Sequence, residues 1–452
     1  MCFIGCFVAM ALLCFPAFAA ETVKIATFNV DATPPIGSPV AYASARSIVD
    51  PLSARGIIIM AGDQKPVVLC AVDWIGIGNG GQDVWKAILA EAAGTTADRV
   101  AVHVLHQHDG CRCDFSAEEL LEARGLGGKR MDRKFAMETI NNVAEAIRKA
   151  KAKSQEVTHV GVGKAKVEKV ASNRRIMSAD GKTVEIVRYT ACRDPKAIAA
   201  PEGTIDPFVQ ILSFWNKDKP LASISYYATH PQSHYGKGDV SCDFPGIARR
   251  LREEALPGVE HIHFDGAGGN IGAGKYNDGS PERRPILAGR LAKGMKLAWE
   301  ATKKYPVTAQ DVNWATVSVA VPPAKHLDEK VLLATLDDTK LKDKERMGVA
   351  GSLSWLQRCK AGYKIPIGRL RIGEIDVLHM PGELFVEYQL NAQKMRPGNS
   401  VLMAAYGDYG TGYIGTEVAY TEGGYETSKR ASDVAPEVEG VLMGAVKLLL
   451  AR

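Results

Sequence analysis

Two histidines one residue apart, His106 and His108, stand in Val102-His103-Val104-Leu105-His106-Gln107-His108-Asp109-Gly110, where an apolar run of strand length breaks into a turn. Residues two apart on a strand share a side, so the spacing predicts that both imidazoles face one way. Such a pair can present one metal ligand and one acid/base group or second ligand; it also fits two surface histidines beside a loop. A second histidine of this design, His230, ends the run Ala222 to Tyr227 in Ala228-Thr229-His230-Pro231. Pro231 stops ladder hydrogen bonding and turns the chain, which fixes His230 at a rigid corner, while His234 falls further into the loop and is expected to be exposed. Glu383 follows Leu378-His379-Met380-Pro381-Gly382 in the same way. A carboxylate there suits a helix start favoured by the macrodipole as well as a metal, and the two are compatible. Two histidines and a carboxylate form a zinc set that leaves room for water or another ligand.

The elements that must position these groups alternate along the chain. Apolar runs at 56–61, 66–72, 100–105, 209–214, 222–227, 261–264 and 375–379 read as strands. Segments with 3.6-residue periodicity at 83–92, 133–152, 244–255, 285–302 and 436–450 read as helices. The alternation predicts an α/β fold of layered mixed sheets flanked by helices, with functional groups just past strand ends. No internal repeat, low-complexity tract or long linker interrupts it, so residues 20–452 read as a single catalytic domain.

Composition narrows the partners. The chain has 452 residues, 46% hydrophobic and 24% charged, as expected of a globular protein. Residues 1–19 are apolar, uncharged and end in Ala17-Phe18-Ala19, the small-x-small pattern of a signal peptide. The chain is therefore expected to be exported, to the periplasm or the medium. No later stretch reaches the roughly 20 apolar residues of a membrane span, which leaves only peripheral membrane contact. The net charge of +5 is spread over mixed-sign helices with no basic, aromatic-interleaved stripe, so nucleic acid is not an expected partner. Six of the nine cysteines lie beyond the leader, an even number that permits disulfides without fixing their pairing. The Cys111-Arg112-Cys113 pair alone is a weak zinc pattern.

The strand-end His-x-His, Ala-Thr-His-Pro and Pro-Gly-Glu, followed by Gly412-Tyr413-Ile414-Gly415-Thr416-Glu417-Val418-Ala419-Tyr420-Thr421-Glu422-Gly423-Gly424-Tyr425-Glu426, occur in the order found in the neutral (alkaline, non-lysosomal) ceramidase family. Asp31-Ala32-Thr33-Pro34-Pro35 and Asp50-Pro51-Leu52-Ser53-Ala54-Arg55 also resemble that family's opening segments, so the resemblance runs from about Ala26 to Glu426. It implies a Zn2+ ion held by His106, His230, Glu383 and Tyr413, and hydrolysis of an N-acyl amide by water that the zinc activates. It places His108 beside the scissile amide, Arg174 at the substrate's polar head, and Tyr425 against the substrate or its developing oxyanion. Tyr420 is a further substrate-binding candidate; read without the resemblance, both tyrosines fit simple packing.

Two departures from the family matter. The segment corresponding to its Gly-Asp-Val-Ser stretch is Gly269-Asn270-Ile271-Gly272, with no serine, which leaves activated water rather than a covalent serine. The β-sandwich that full ceramidases append is replaced by one helix-like segment, which opens the substrate to shorter or more polar amides. A lipid or other small molecule is the expected partner. The competing readings are an exported zinc hydrolase of a non-lipid or sugar-derived substrate, and a binding protein without catalysis. An apolar channel of acyl length would favour the ceramidase-like reading, and a short polar pocket the first alternative.

Overall fold

The computed structural model describes residues 22–451; the expected signal peptide, residues 1–19, lies outside them. Strands Val23–Asp31 (β1), Ser53–Ala61 (β2) and Val67–Val72 (β3) form an antiparallel meander. Helix Gly80–Ala93 (α1) crosses over, so that Val100–Val104 (β4) returns parallel to β3. Helix Arg133–Lys151 (α2), capped by the Asp132 carboxylate on the Phe135 amide, leads to Gln155–Val157 (β5) on the opposite edge.

The same order of elements then recurs. His159–Lys166 (β6), Phe208–Asn216 (β7) and Lys219–Tyr227 (β8) form a second meander. Helix Asp243–Ala255 (α3) crosses to the parallel strand Glu260–Asp265 (β9), and helix Arg283–Glu300 (α4) leads to the edge strand Lys303–Pro306 (β10). A third meander of Val312–Val319 (β11), Ile365–Ile372 (β12) and Ile375–His379 (β13) is followed by helix Val386–Met395 (α5), parallel strand Ser400–Ala404 (β14) and helix Val438–Ala451 (α6). The chain, expected to lack an internal repeat, thus carries a threefold topological one.

Burial explains why the central strands are largely apolar. In β2, Ile57 and Ile59 enter a core shared by the inner faces of all three sheets, with Phe214 and Ile224 from the second and Leu370 and Val377 from the third. Ile58 between them points the other way, into a layer containing Trp85 and Leu89 of α1 and Ile140 and Val143 of α2. The outer face of the second sheet is covered by α3 and α4 through Phe244, Leu287 and Leu291. The fold is therefore α/β, with mixed sheets flanked by helices, as the alternation predicts. Among the described residues no helix is long and apolar enough to cross a membrane, and all six cysteines of this range are free thiols.

Candidate metal centre and its surroundings

The three parallel pairs, β3/β4, β8/β9 and β13/β14, send the segments after their carboxyl ends to one place. From the first come His106, after β4, and Ile75, after β3; the Ile75 carbonyl lies 2.6 Å from His106 Nδ1. From the second come His230, after β8, and the Gly268 carbonyl, after β9, 2.6 Å from His230 Nδ1. From the third come Glu383, after β13, and Tyr409, after β14, whose hydroxyl donates to Glu383 Oε1 at 2.5 Å. Each module supplies one functional side chain and the group that orients it.

The orientation decides the chemistry. A carbonyl oxygen only accepts, so Nδ1 carries the proton in both rings and each Nε2 presents a lone pair. His230 Nε2 lies 2.8 Å and His106 Nε2 3.3 Å from Glu383 Oε2. One ligand atom from each of the three residues falls within 4.8 Å of the others, and all three residues are at most 2% exposed. Three acceptors facing one another in a dry site need a cation, so the group could hold a metal. Burial alone would raise the Glu383 carboxyl, and a positive charge among its neighbours, an imidazolium or a bound cation, holds it well below the usual range. Burial pulls His230 below its ordinary value, against the pull of Glu383, which keeps its lone pair available.

Local backbone packing is tight around this group. Gly269 approaches the third module so closely that a Cβ there would stand 2.2 Å from the Glu383 carbonyl oxygen. The glycine-rich run thus positions His230 and Glu383 through main-chain contact. Asn270, where the resemblance would have had a serine nearby, is engaged by the Val386 amide and by Glu387.

His106 and His108 do meet, with 3.1 Å between their Nε2 atoms, but not by strand alternation. Strand β4 ends at Val104, and His106 adopts a left-handed φ of 55°, so the loop makes the approach. Glu383 is not a first-turn helix residue either. It sits in a two-residue parallel ladder, Glu383–Leu384 beside Tyr413–Ile414, in register with Tyr413, and α5 begins only at Val386. The ladder brings the Tyr413 hydroxyl to 3.2 Å from His230 Nε2. His234 is half-buried rather than exposed. Cys111 and Cys113 are buried in the apolar core and stand outside the metal group.

Three further sequence candidates fall differently. Arg174 is 3% exposed, donates to Tyr413 Oη at 2.9 Å, and pairs through Nε with Glu426 at 3.0 Å; its guanidinium is committed to holding Tyr413. Tyr425 is half-buried, edge-on to Tyr413 at 5.8 Å between centroids, with Arg174 over its ring. Tyr420 is not brought to the group: its hydroxyl bonds Ser432 at 2.9 Å and takes the Gly415 amide. Sequence reasoning missed Tyr409, and also the two partners of His108. Tyr42 Oη lies 3.0 Å from its Nδ1, and the Gln232 amide donates to its Nε2. Burial, then the neighbouring His106 and His230, push His108 well below its ordinary value, which keeps it neutral. The ring of Tyr406 stacks on His106 at 5.1 Å.

No protein-family model matches the sequence, and no curated protein matches it. Among solved structures, a ceramidase complexed with C2 superposes with a TM-score of 0.68 over 96% of this chain and 76% of its own, at 17% identity. A neutral ceramidase from Pseudomonas aeruginosa superposes with the same TM-score over 96% of this chain and 75% of its own, at 16% identity.

Proposed function

We propose that this chain, which carries the neutral ceramidase fold, is a zinc-dependent, ceramidase-like hydrolase of an N-acyl amide bond. The observation that carries the reading is the convergence of His106 Nε2, His230 Nε2 and Glu383 on one buried point, with Nδ1 of both rings turned to backbone carbonyls. Tyr413, whose oxygen stands beside His230 Nε2, is the fourth proposed ligand. Zinc in such a set polarises a carbonyl and lowers the pKa of water to about 7.

The remaining roles belong to this chain's own side chains. His108 is neutral and fixed from both nitrogens by Tyr42 and Gln232. Its Nε2, which takes the Gln232 amide, carries the lone pair; with an attacking water in that amide's place it accepts the water's proton and returns it to the amine nitrogen as the C–N bond breaks, giving a carboxylic acid and a free amine. Arg174, locked against Glu426, fixes the Tyr413 phenol. Tyr425, with no hydrogen-bond partner for its hydroxyl among the described residues, is the phenol proposed to meet the developing oxyanion. No serine nucleophile enters. Export after residue 19 and a single catalytic domain complete the proposal; sequencing the N-terminus of the secreted protein tests the first.

Elemental analysis of the purified mature chain and of a His106→Ala/His230→Ala variant, each assayed on a panel of N-acyl amides, tests the central claim. About one zinc per chain, lost in the variant together with amide cleavage, is the expected result. A wild-type chain that takes up no zinc sinks it.

A further inference from the structure

Next to the metal-binding group lies a cleft that the reaction above does not use. A two-residue parallel ladder sets Gly76 opposite Arg112. Gly76 presses on the Tyr409 ring so closely that a Cβ there would stand 2.8 Å from it, and Tyr409 donates to Glu383. Three contacts, the first made by its main chain, thus link Arg112 to the carboxylate of the metal group. Its guanidinium is half-buried and has no hydrogen-bond or ion-pair partner among the described residues.

Arg130 lines the same cleft. Its guanidinium donates to the Met347 carbonyl at 2.7 Å and reaches no carboxylate within ion-pair distance among the described residues. Burial, and then the like charge of Arg112, pull Arg130 down to about 10. Arg430 supplies a third guanidinium at the exposed rim.

The acidic side chains in the wall are already occupied. Asp114 caps the helix Phe115–Glu122 and takes the Asn79 amide and the Ser116 hydroxyl. Glu118 takes the Gly128 amide, and Asp433 takes the Ser352 hydroxyl. Asp114, Glu118 and Asp433 share the charge of Arg130, which leaves the Arg112 guanidinium as the cation with donors and no acceptor in this concave site, the complement of a compact oxyanion. Its volume of about 200 Å³ compares with about 30 Å³ for one water. It therefore has room for a head group of several heavy atoms.

We propose that the Arg112–Arg130 cleft is an oxyanion subsite, so that the substrate is an N-acyl amide whose amine portion carries a carboxylate or phosphate. This rests on the amidase reading of the metal group.

The experiment uses three amides with the same octanoyl chain: N-octanoylglycine, N-octanoylphosphoethanolamine and the neutral N-octanoylethanolamine. The zinc-loaded full chain and its Arg112→Gln variant are assayed on each. A kcat/KM preference of roughly 10–100-fold for an anionic amide is expected, shrinking about tenfold or more in the variant, chiefly through KM. Which anion is preferred separates carboxylate from phosphate. No anionic preference in the wild type, or the same preference in the variant, overturns the proposal while leaving the amidase reading intact. If the wild type cleaves none of the three, the amidase reading fails, and titration calorimetry with N-octanoylglycine and inorganic phosphate decides the subsite alone. Binding at least tenfold weaker in Arg112→Gln upholds it; absent or equal binding overturns it.

Discussion

Replacing Tyr409 by Phe deletes one oxygen from the surroundings of the metal group and leaves both histidines in place. That oxygen lies 2.5 Å from Glu383 Oε1, in a residue only 2% exposed, while Oε2 faces the imidazoles. The phenylalanine ring would keep its packing on Gly76 and on His106, 5.2 Å away. A hydrogen bond to a charged group contributes about 1.5–3 kcal/mol. Loss of such a partner of a metal ligand typically costs about 10–100-fold in metal affinity, or about 1.4–2.8 kcal/mol, so the two scales agree. Over residues 22–451, an unfolding entropy of about 2.1 cal/mol/K per residue turns this into a melting-point fall of about 1.5–3 °C for the zinc-loaded protein. Competitive zinc titration against a chromophoric chelator measures the affinity directly, and the stoichiometry should stay at one. Affinity within twofold of wild type would refute the idea that Tyr409 orients the carboxylate. Complete loss of zinc would refute it from the other side, by making Tyr409 a ligand.

Zinc at a hundred times its dissociation constant should stabilise the wild type by about 2.7 kcal/mol, a rise of about 3 °C in melting temperature that chelator reverses; the same rise in His106→Ala/His230→Ala would contradict the ligand set. Gly269→Ala forces a Cβ to 2.2 Å from the Glu383 carbonyl and should cost at least about 1–3 kcal/mol and lower zinc occupancy; a urea midpoint equal to wild type would show that the loop can yield. Arg249→Met strips the buried Asp73 of a partner 2.7 Å away and should cost about 3–5 kcal/mol by denaturant titration, and a loss under about 1 kcal/mol would count against that pairing. His103 and His263, lowered by burial to about 3, stay neutral in the folded chain, whereas the unfolded chain protonates them below about 6.5. The unfolded state then binds more protons, so stability falls with pH from about 6.5 toward 3, by about 1.4 kcal/mol per unit for each. Asp433, pushed up to about 6, binds a proton in the folded chain and offsets one of them between about 4 and 6. Urea midpoints over pH 4 to 6.5 should show a slope shallower by one proton in His263→Gln, and parallel slopes would argue against the burial account.

Strands buried on both faces were the most legible part of the fold. The apolar run 375–379 has the bounds of β13, because its five residues are all buried. Edge strand β11, where exposed Asn313 and Ser318 interrupt buried and partly buried residues, gave no such signal. The threefold topology left no trace in the sequence, since strand pairing is made by main-chain groups that many side chains accept. The candidate ligands at strand ends were legible because Pro231 and Pro381-Gly382 mark the breaks. The run 400–404 was not among the segments read as strands, so the turn after β14, Gly407-Asp408-Tyr409-Gly410, drew no notice. Tyr42 and Gln232 offered no local signal, being 66 and 124 residues from His108.

The threefold arrangement also bears on the order in which the molecule can come together. Each module pairs its strands within its own stretch of chain, so a sheet can form before its neighbours exist. His106, His230 and Glu383 come from different modules and meet only when all three have docked. A metal that bridges them would act as a latch closed after the last docking step. Contacts absent from the folding transition state leave the folding rate nearly untouched and slow unfolding. The latch would then lengthen the lifetime of the assembled protein against protease and heat, without hastening its formation.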